Sequence, residues 1–192
     1  MIESATEARR QALRLQLRAD RERFAASPGF DAAHAALGTH LAAVIARLEP
    51  QCLGVYWAIR SEFNAAVALG ADLACAQLSW ALPYTRRTPR EMHYRRWDRQ
   101  SPTLHDECGI PASSGAPVVP DVVLVPCVGF TAQGYRLGYG GGYFDRWMAA
   151  HPHVTAVGVA WSFNRIDAEA FAVEPHDQPL ILVVTEDRVN TP

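Results

Sequence analysis

The residues most able to do chemistry form one run, Arg136-Leu137-Gly138-Tyr139-Gly140-Gly141-Gly142-Tyr143-Phe144-Asp145. Four of the five residues 138–142 are glycine, so backbone N–H groups can approach an anion with no Cβ in the way. Phe144, Trp147 and Met148 then recur at helical spacing, which places a helix N-terminus directly after the glycines. Its free N–H groups and dipole favour negative charge. Ahead of the run, Val122-Val123-Leu124-Val125, closed by Pro126, reads as a buried strand of a parallel sheet. Strand, glycine loop and helix start form an arrangement that binds phosphate. The glycines alone fit a tight strand-to-helix turn equally well. Neither established nucleotide loop is present. The chain contains no lysine, which excludes the lysine-dependent loop, and the glycine spacing misses the dinucleotide fingerprint.

The elements around this run predict an α/β fold. A helix is expected from about Ala5 to Phe24, opened by the capping-box spacing of Ser4-Ala5-Thr6-Glu7. On it Arg10, Arg14, Arg18 and Arg21 share a face, ordinarily a solvated one. Ser27-Pro28 reads as the start of a second helix, with Leu37, Leu41, Val44, Ile45 and Leu48 inward and Pro50 at its end. His34 and His40 lie on it and read as surface or satisfied histidines. Strands are expected over Cys52–Ile59, Ala74–Leu82 (ended by Pro83), Glu91–Trp97, Val154–Trp161 and, last, Leu180–Thr185. A short helix runs from about Asn64 to Leu69. Cys108–Pro120 is rich in Gly, Pro, Ser and Ala and reads as a loop long enough to act as a lid. The prediction is a single domain over residues 1–192, a mainly parallel sheet flanked by helices on both faces in a Rossmann-like three-layer arrangement.

Composition narrows the function. Net charge is −2, so nothing global points to nucleic acid or an anionic membrane. All 18 basic residues are arginine, which removes Schiff-base lysine chemistry. The four cysteines form no C-x-x-C; Cys52 and Cys75 read as buried thiols, and no zinc site is expected. His93, His105 and Cys108 are too irregularly spaced for a metal site. No apolar leader or span is visible, so a cytoplasmic location is expected.

The ordered positions Pro126, Gly129, Phe130, Gly134, Arg136, Leu137, Gly138, Gly140, Gly142, Tyr143, Phe144 and Asp145 resemble the signature of the 5-formyltetrahydrofolate cyclo-ligase family, also called methenyltetrahydrofolate synthetases. Thr131 departs from it, since members often carry Asp there. The loop Gly109-Ile110-Pro111-Ala112-Ser113 lacks a Glu common in the family. The resemblance implies ATP-dependent, Mg²⁺-dependent cyclisation of 5-formyltetrahydrofolate to 5,10-methenyltetrahydrofolate. It also implies roles. Arg10 and Arg14 match the family's K-x-x-L-R helix, with arginine for its lysine, and reach ATP phosphates. Arg136, Leu137, Gly138, Tyr139, Gly140, Gly141, Gly142, Tyr143 and Phe144 bind ATP. Trp57 and Glu62 line the folate pocket, which Gly140, Gly142 and Tyr143 also touch. Arg14, Arg136 and Asp145 serve the reaction, and Asp145 and Asp177 share Mg²⁺. From the residues alone, Glu62 and Asp145 are equally helix-start acids and Asp177 an ordinary turn residue.

The segment containing Arg86, Arg87, Arg90, Arg95, Arg96 and Arg99, interleaved with Tyr84, Tyr94 and Trp97, reads first as a solvated edge. Its alternatives are a patch for RNA, a polyglutamate tail or nucleotide phosphates. Two other function classes stay open: a family-like module that binds RNA, and a small kinase or phosphatase acting on another metabolite. The expected partners are the folate, with or without a polyglutamate tail, and ATP, with no membrane or nucleic acid, and the expected state is a monomer.

Overall fold

A computed structural model describes residues 2–72 and 75–192. Helix α1 spans Ile2–Ala25, α2 Phe30–Leu48, α3 Ala65–Gly70 and α4 Tyr143–Ala150. The strands are β1 Cys52–Gly54, β2 Ser79–Arg87, β3 Arg90–Trp97, β4 Leu104–His105, β5 Pro111–Ala112, β6 Pro117–Val118, β7 Val122–Pro126, β8 Gly129–Phe130, β9 Arg136–Leu137, β10 Thr155–Val159, β11 Leu182–Val184 and β12 Val189–Asn190. Among the described residues one eight-stranded sheet runs β12-β11-β10-β7-β1-β2-β3-β6. Its centre, from β11 to β2, is parallel, while β12, β3 and β6 join antiparallel at the two edges.

The apolar run of β7 explains why helices cover both faces. Alternate residues of a strand point to opposite sides. Val122 and Leu124 join Leu53, Val157 and Val159 beneath Leu37, Leu41 and Ile45 of α2. Val123 and Val125 join Ala156 on the other side, against Trp147 and Met148 of α4. The Trp147 ring meets Tyr94 of β3 edge-on at 4.9 Å. Leu124 is fully buried, so Leu124→Ala leaves a cavity that its neighbours close only in part. It is expected to cost about 2–5 kcal/mol, read as a lower midpoint in urea unfolding.

A third cluster fixes α1. Leu17 packs with Val128, Leu137, Ile166 and Phe171, on the β8–β9 hairpin that leaves β7. This contact lays α1 beside the end of β7, with the glycine run under its arginines.

Several boundaries differ from the sequence reading. Helix α1 begins at Ile2, ahead of the expected cap; the Ser4 side chain lies outside the described residues, and Glu7 pairs with Arg14 instead of closing a capping box. Ser27-Pro28 is a turn, and α2 starts at Phe30 behind Gly29. Strand β1 ends at Gly54, not Ile59. Strand β2 begins at Ser79; Ala74, its expected start, lies outside the described residues. It also runs through Pro83 to Arg87. Pairing to β1 stops at Ala81, so the missing N–H of Pro83 faces an unpaired edge. Cys108–Pro120 is not a free loop: β5 pairs with β4 and β6 with β3. The C-terminal strands are Thr155–Val159 and Leu182–Val184, and β12 follows the expected last strand. Among the described residues no helix is long and apolar enough to cross a membrane.

Candidate active site

The chain passes from β1 to β2 on one side of the sheet and from β7 to β10 on the other. Such a switch point opens a crevice at the strands' C-terminal ends. Here it is a cavity of about 780 Å³, lined by the residues after β1, the run 138–146 after β9, and the segment 174–178. Of the residues singled out in the sequence, Arg10, Arg14, Trp57, Glu62, Arg136, Gly138 to Asp145 and Asp177 all line it. Leu137 does not: its side chain is buried in the cluster around Leu17.

Gly140 (φ 88°) and Gly142 (φ 61°) adopt left-handed backbone, which glycine accepts without strain. Gly142 is the N-cap of α4, with no side chain capping the first turn, so the helix start is open to the cavity. Arg14, Arg136 and Arg146 frame the run, and Arg10 lines the same cavity. Arg14 donates through Nε to the Gly138 carbonyl at 3.0 Å and pairs with Glu7 at 2.8 Å. Arg146 donates to the Gly141 carbonyl at 2.6 Å. Arg136, 6% exposed, pairs through Nη2 with Asp145 at 2.8 Å. Arg10, also 6% exposed, grips both oxygens of Asp177, at 2.5 and 3.2 Å, and bonds the Ala172 carbonyl. The arginine face of α1 is thus an inward face, with Leu17 in the same stripe.

Glu62, 9% exposed, accepts the Ile59 N–H at 2.9 Å through Oε2. Burial raises its pKa above the ordinary carboxylate range; the Ile59 N–H, Arg21 and the Tyr139 hydroxyl pull the other way without cancelling it. Asp177 behaves oppositely. Burial pushes its pKa up, but the Arg10 guanidinium and the Glu174 N–H hold it below the usual range.

Among the described residues no group of three or more His, Cys, Asp or Glu is placed to hold a metal ion. The fit to nucleotide-bound Mg²⁺ therefore depends on single carboxylates, which suffice when phosphates and waters supply the rest. Asp145 fits, since Arg136 engages Oδ2 and the residue lines the cavity. Asp177 has both oxygens on Arg10, and Oδ2 also accepts the Glu174 N–H. It can reach a metal only by releasing that fork.

Sequence reasoning missed one wall. Asp106 is 7% exposed. Its Oδ1 accepts the Cys108 and Ile110 N–H groups at 2.9 Å each. Oδ2 accepts both the N–H and the hydroxyl of Thr85. This latch brings Cys108 and Ile110 to the cavity, where Cys108 Sγ lies 3.4 Å from the Tyr143 hydroxyl. An Asp two and four residues before the N–H groups it accepts is a turn signal visible in Asp106-Glu107-Cys108-Gly109-Ile110.

The basic segment is partly self-neutralised. Arg86 pairs with Glu91 and Glu107, and Arg95 stacks on Tyr84 at 4.0 Å. Arg90 alone of its six arginines lines the main cavity. His34 packs against Phe63, and His40 is satisfied by the Thr185 carbonyl at 2.9 Å.

The model of the 5-formyltetrahydrofolate cyclo-ligase family matches residues 6–186. Over 68 residues the chain is 38% identical to a 5-formyltetrahydrofolate cyclo-ligase of Mycoplasma pneumoniae, covering 35% of this chain and 40% of that protein. Over 69 residues it is 38% identical to the Escherichia coli K12 protein of the same name, covering 36% of this chain and 38% of that one. The aligned part thus spans about two fifths of these curated relatives. A solved 5,10-methenyltetrahydrofolate synthetase from M. pneumoniae superposes with a TM-score of 0.72 at 22% identity, over 92% of this chain and 98% of that one. One from Aquifex aeolicus gives 0.69 at 24% identity, over 95% and 92%. At these identities the likeness speaks for the fold.

Proposed function

The chain belongs to the 5-formyltetrahydrofolate cyclo-ligase family, and from that premise we propose that it converts 5-formyltetrahydrofolate and ATP to 5,10-methenyltetrahydrofolate, ADP and phosphate. One observation carries the reading: a buried carboxylate, Glu62, shares a cavity with an arginine-framed glycine loop at a helix start. A reduced pterin offers a donor edge that a carboxylate accepts from two N–H groups. A nucleotide's phosphates suit the loop and helix start.

Amide oxygen is a poor leaving group. Transfer of the γ-phosphoryl group to the formyl oxygen turns it into phosphate, a good one. N10 then attacks the formyl carbon, the C–O bond breaks, phosphate leaves with the former formyl oxygen, and the N10 proton goes to solvent. Nothing here requires a protein nucleophile. The side chains align the partners and neutralise charge on the transferring group. Arg10, Arg14 and Arg136 supply that charge, the backbone of 138–142 cradles phosphate, and Glu62, Trp57 and Tyr143 orient the folate. Mg²⁺, when bound with ATP, would be held by Asp145 and would screen phosphate charge. The free cysteines, three of them buried, suit a reduced cytoplasm.

The test is a cyclisation assay with purified chain, 5-formyltetrahydrofolate, ATP and Mg²⁺, following the near-ultraviolet absorbance of the methenyl product. ATP-dependent product is expected. A folded protein that binds ATP and forms no product would sink the reading.

A further inference from the structure

Arg21 has no part in the chemistry above, yet at 3% exposure it is more buried than Arg10 or Arg14. A guanidinium held out of water needs its donors matched. Arg21 donates through Nε to Ser61 Oγ at 3.2 Å and through Nη2 to the Tyr139 hydroxyl at 2.5 Å. The two acceptors belong to different halves of the site. Ser61 precedes Glu62, and Tyr139 stands in the glycine loop between Gly138 and Gly140. The Tyr139 hydroxyl also interacts with the Glu62 carboxyl. Arg18 and Arg21 lie 5.7 and 5.9 Å from the Tyr139 ring centre, within reach of its π-face.

We propose that Arg21 is a positioning residue that, through Tyr139 and Ser61, fixes the phosphate loop against the folate carboxylate Glu62. The proposal rests on the cyclo-ligase reading. That reaction joins groups held from opposite sides, the γ-phosphoryl on the loop and the formyl oxygen on the folate. A displacement of about 1 Å between such partners can cost about a hundredfold in rate. Arg21 bonds the residue before the folate carboxylate and the tyrosine of the phosphate loop at once, and that tyrosine in turn meets Glu62.

Its charge has a second effect. Glu62 is faced by Arg21 from α1, Arg60 from its own segment, Tyr139 from the loop, Tyr56 from below and Cys127 after β7. Burial is the largest influence and raises the Glu62 pKa, while both arginines lower it. Folate binding through an ionised Glu62 is lost as pH falls through that pKa. Without Arg21 the pKa rises further, so the acid limb moves to higher pH.

The experiment measures kcat, both KM values and their pH profiles for the wild type, Arg21→Met, Arg21→Lys, Tyr139→Phe and Arg21→Met/Tyr139→Phe. Arg21→Met is expected to lower kcat by about tenfold to a hundredfold with KM for ATP changed by less than about threefold. The acid limb of kcat/KM for the folate should move to higher pH. Tyr139→Phe should reproduce part of both effects, and the double variant should be no slower than Arg21→Met. Arg21→Lys should keep the acid limb near that of the wild type while losing part of kcat, because an ammonium restores charge but not the two-armed geometry. Wild-type kcat and acid limb in Arg21→Met and Tyr139→Phe, or losses that simply add in the double variant, would overturn the proposal. If Arg21→Met does not fold, Tyr139→Phe decides by the same criteria. A wild-type protein without turnover is a separate outcome, which removes the cyclo-ligase reading itself.

Discussion

Glu62→Gln is expected to cut kcat/KM for 5-formyltetrahydrofolate by about 100- to 1000-fold while leaving the protein as stable as the wild type or more so at neutral pH. The activity loss follows from chemistry. A carboxylate accepts two hydrogen bonds from the pterin edge; an amide accepts one and turns a second donor against it. Losing the second of these charge-assisted bonds, about 1.5–3 kcal/mol, and leaving its donor unpaired, about 1 kcal/mol or more, totals about 3–4 kcal/mol, which gives that range. The stability half follows from the pKa. Burial holds Glu62 above its ordinary value, so its contribution to stability is complete below the ordinary carboxylate pKa and is lost as pH rises through the folded one. At neutral pH the ionised group is a burden that glutamine removes. The introduced amide oxygen can still accept the Ile59 N–H. Urea unfolding at several pH values should show the variant's advantage at neutral pH and its loss in acid. Activity within about threefold of wild type would remove Glu62 from the folate pocket.

Arg136→Met has the other large effect, and it separates structure from catalysis. Arg136 and Asp145 form a nearly dry pair, with side chains 5% and 15% exposed. Removing the arginine alone strands the Asp145 charge, at a cost of about 3–5 kcal/mol. It also withdraws a positive charge from the phosphoryl site, worth about 1000-fold or more in rate where arginine serves transfer. Arg136→Met/Asp145→Asn replaces the pair with neutral groups. It should recover most of the stability and none of the activity. Unfolding curves and turnover on the same three proteins check both halves. Recovery of activity along with stability would make both Arg136 and Asp145 structural.

How much of this was legible in the residues depends on distance along the chain. The glycine run was readable because its requirements are local. Left-handed turns at Gly140 and Gly142 and the helix start behind them are set within ten residues. The α1 arginines were not. Their spacing is that of a solvated stripe, and what turns it inward is Asp177, 167 residues away from Arg10, together with Leu17 packed on the hairpin. Periodicity cannot register a partner so remote. Cys108–Pro120 reads as loop because strands of two residues carry no alternation; its order comes from Asp106 and from pairing with β3. Pro83 misled for a related reason. A proline ends a strand only where its missing N–H would have been paired, and the neighbour is not visible in the chain itself. Thr131, where the family often carries Asp, is 3% exposed with an unpartnered hydroxyl, and nothing in the structure explains the exchange.

The most direct measurement follows the formyl oxygen. 5-Formyltetrahydrofolate carrying heavy oxygen in its formyl group is turned over with ATP, and the phosphate released is examined by mass spectrometry. If ATP phosphorylates that oxygen and N10 expels it, each phosphate carries one heavy atom. Methenyl product with unlabelled phosphate would contradict the account, because the oxygen would have left as water and ATP would serve some other step.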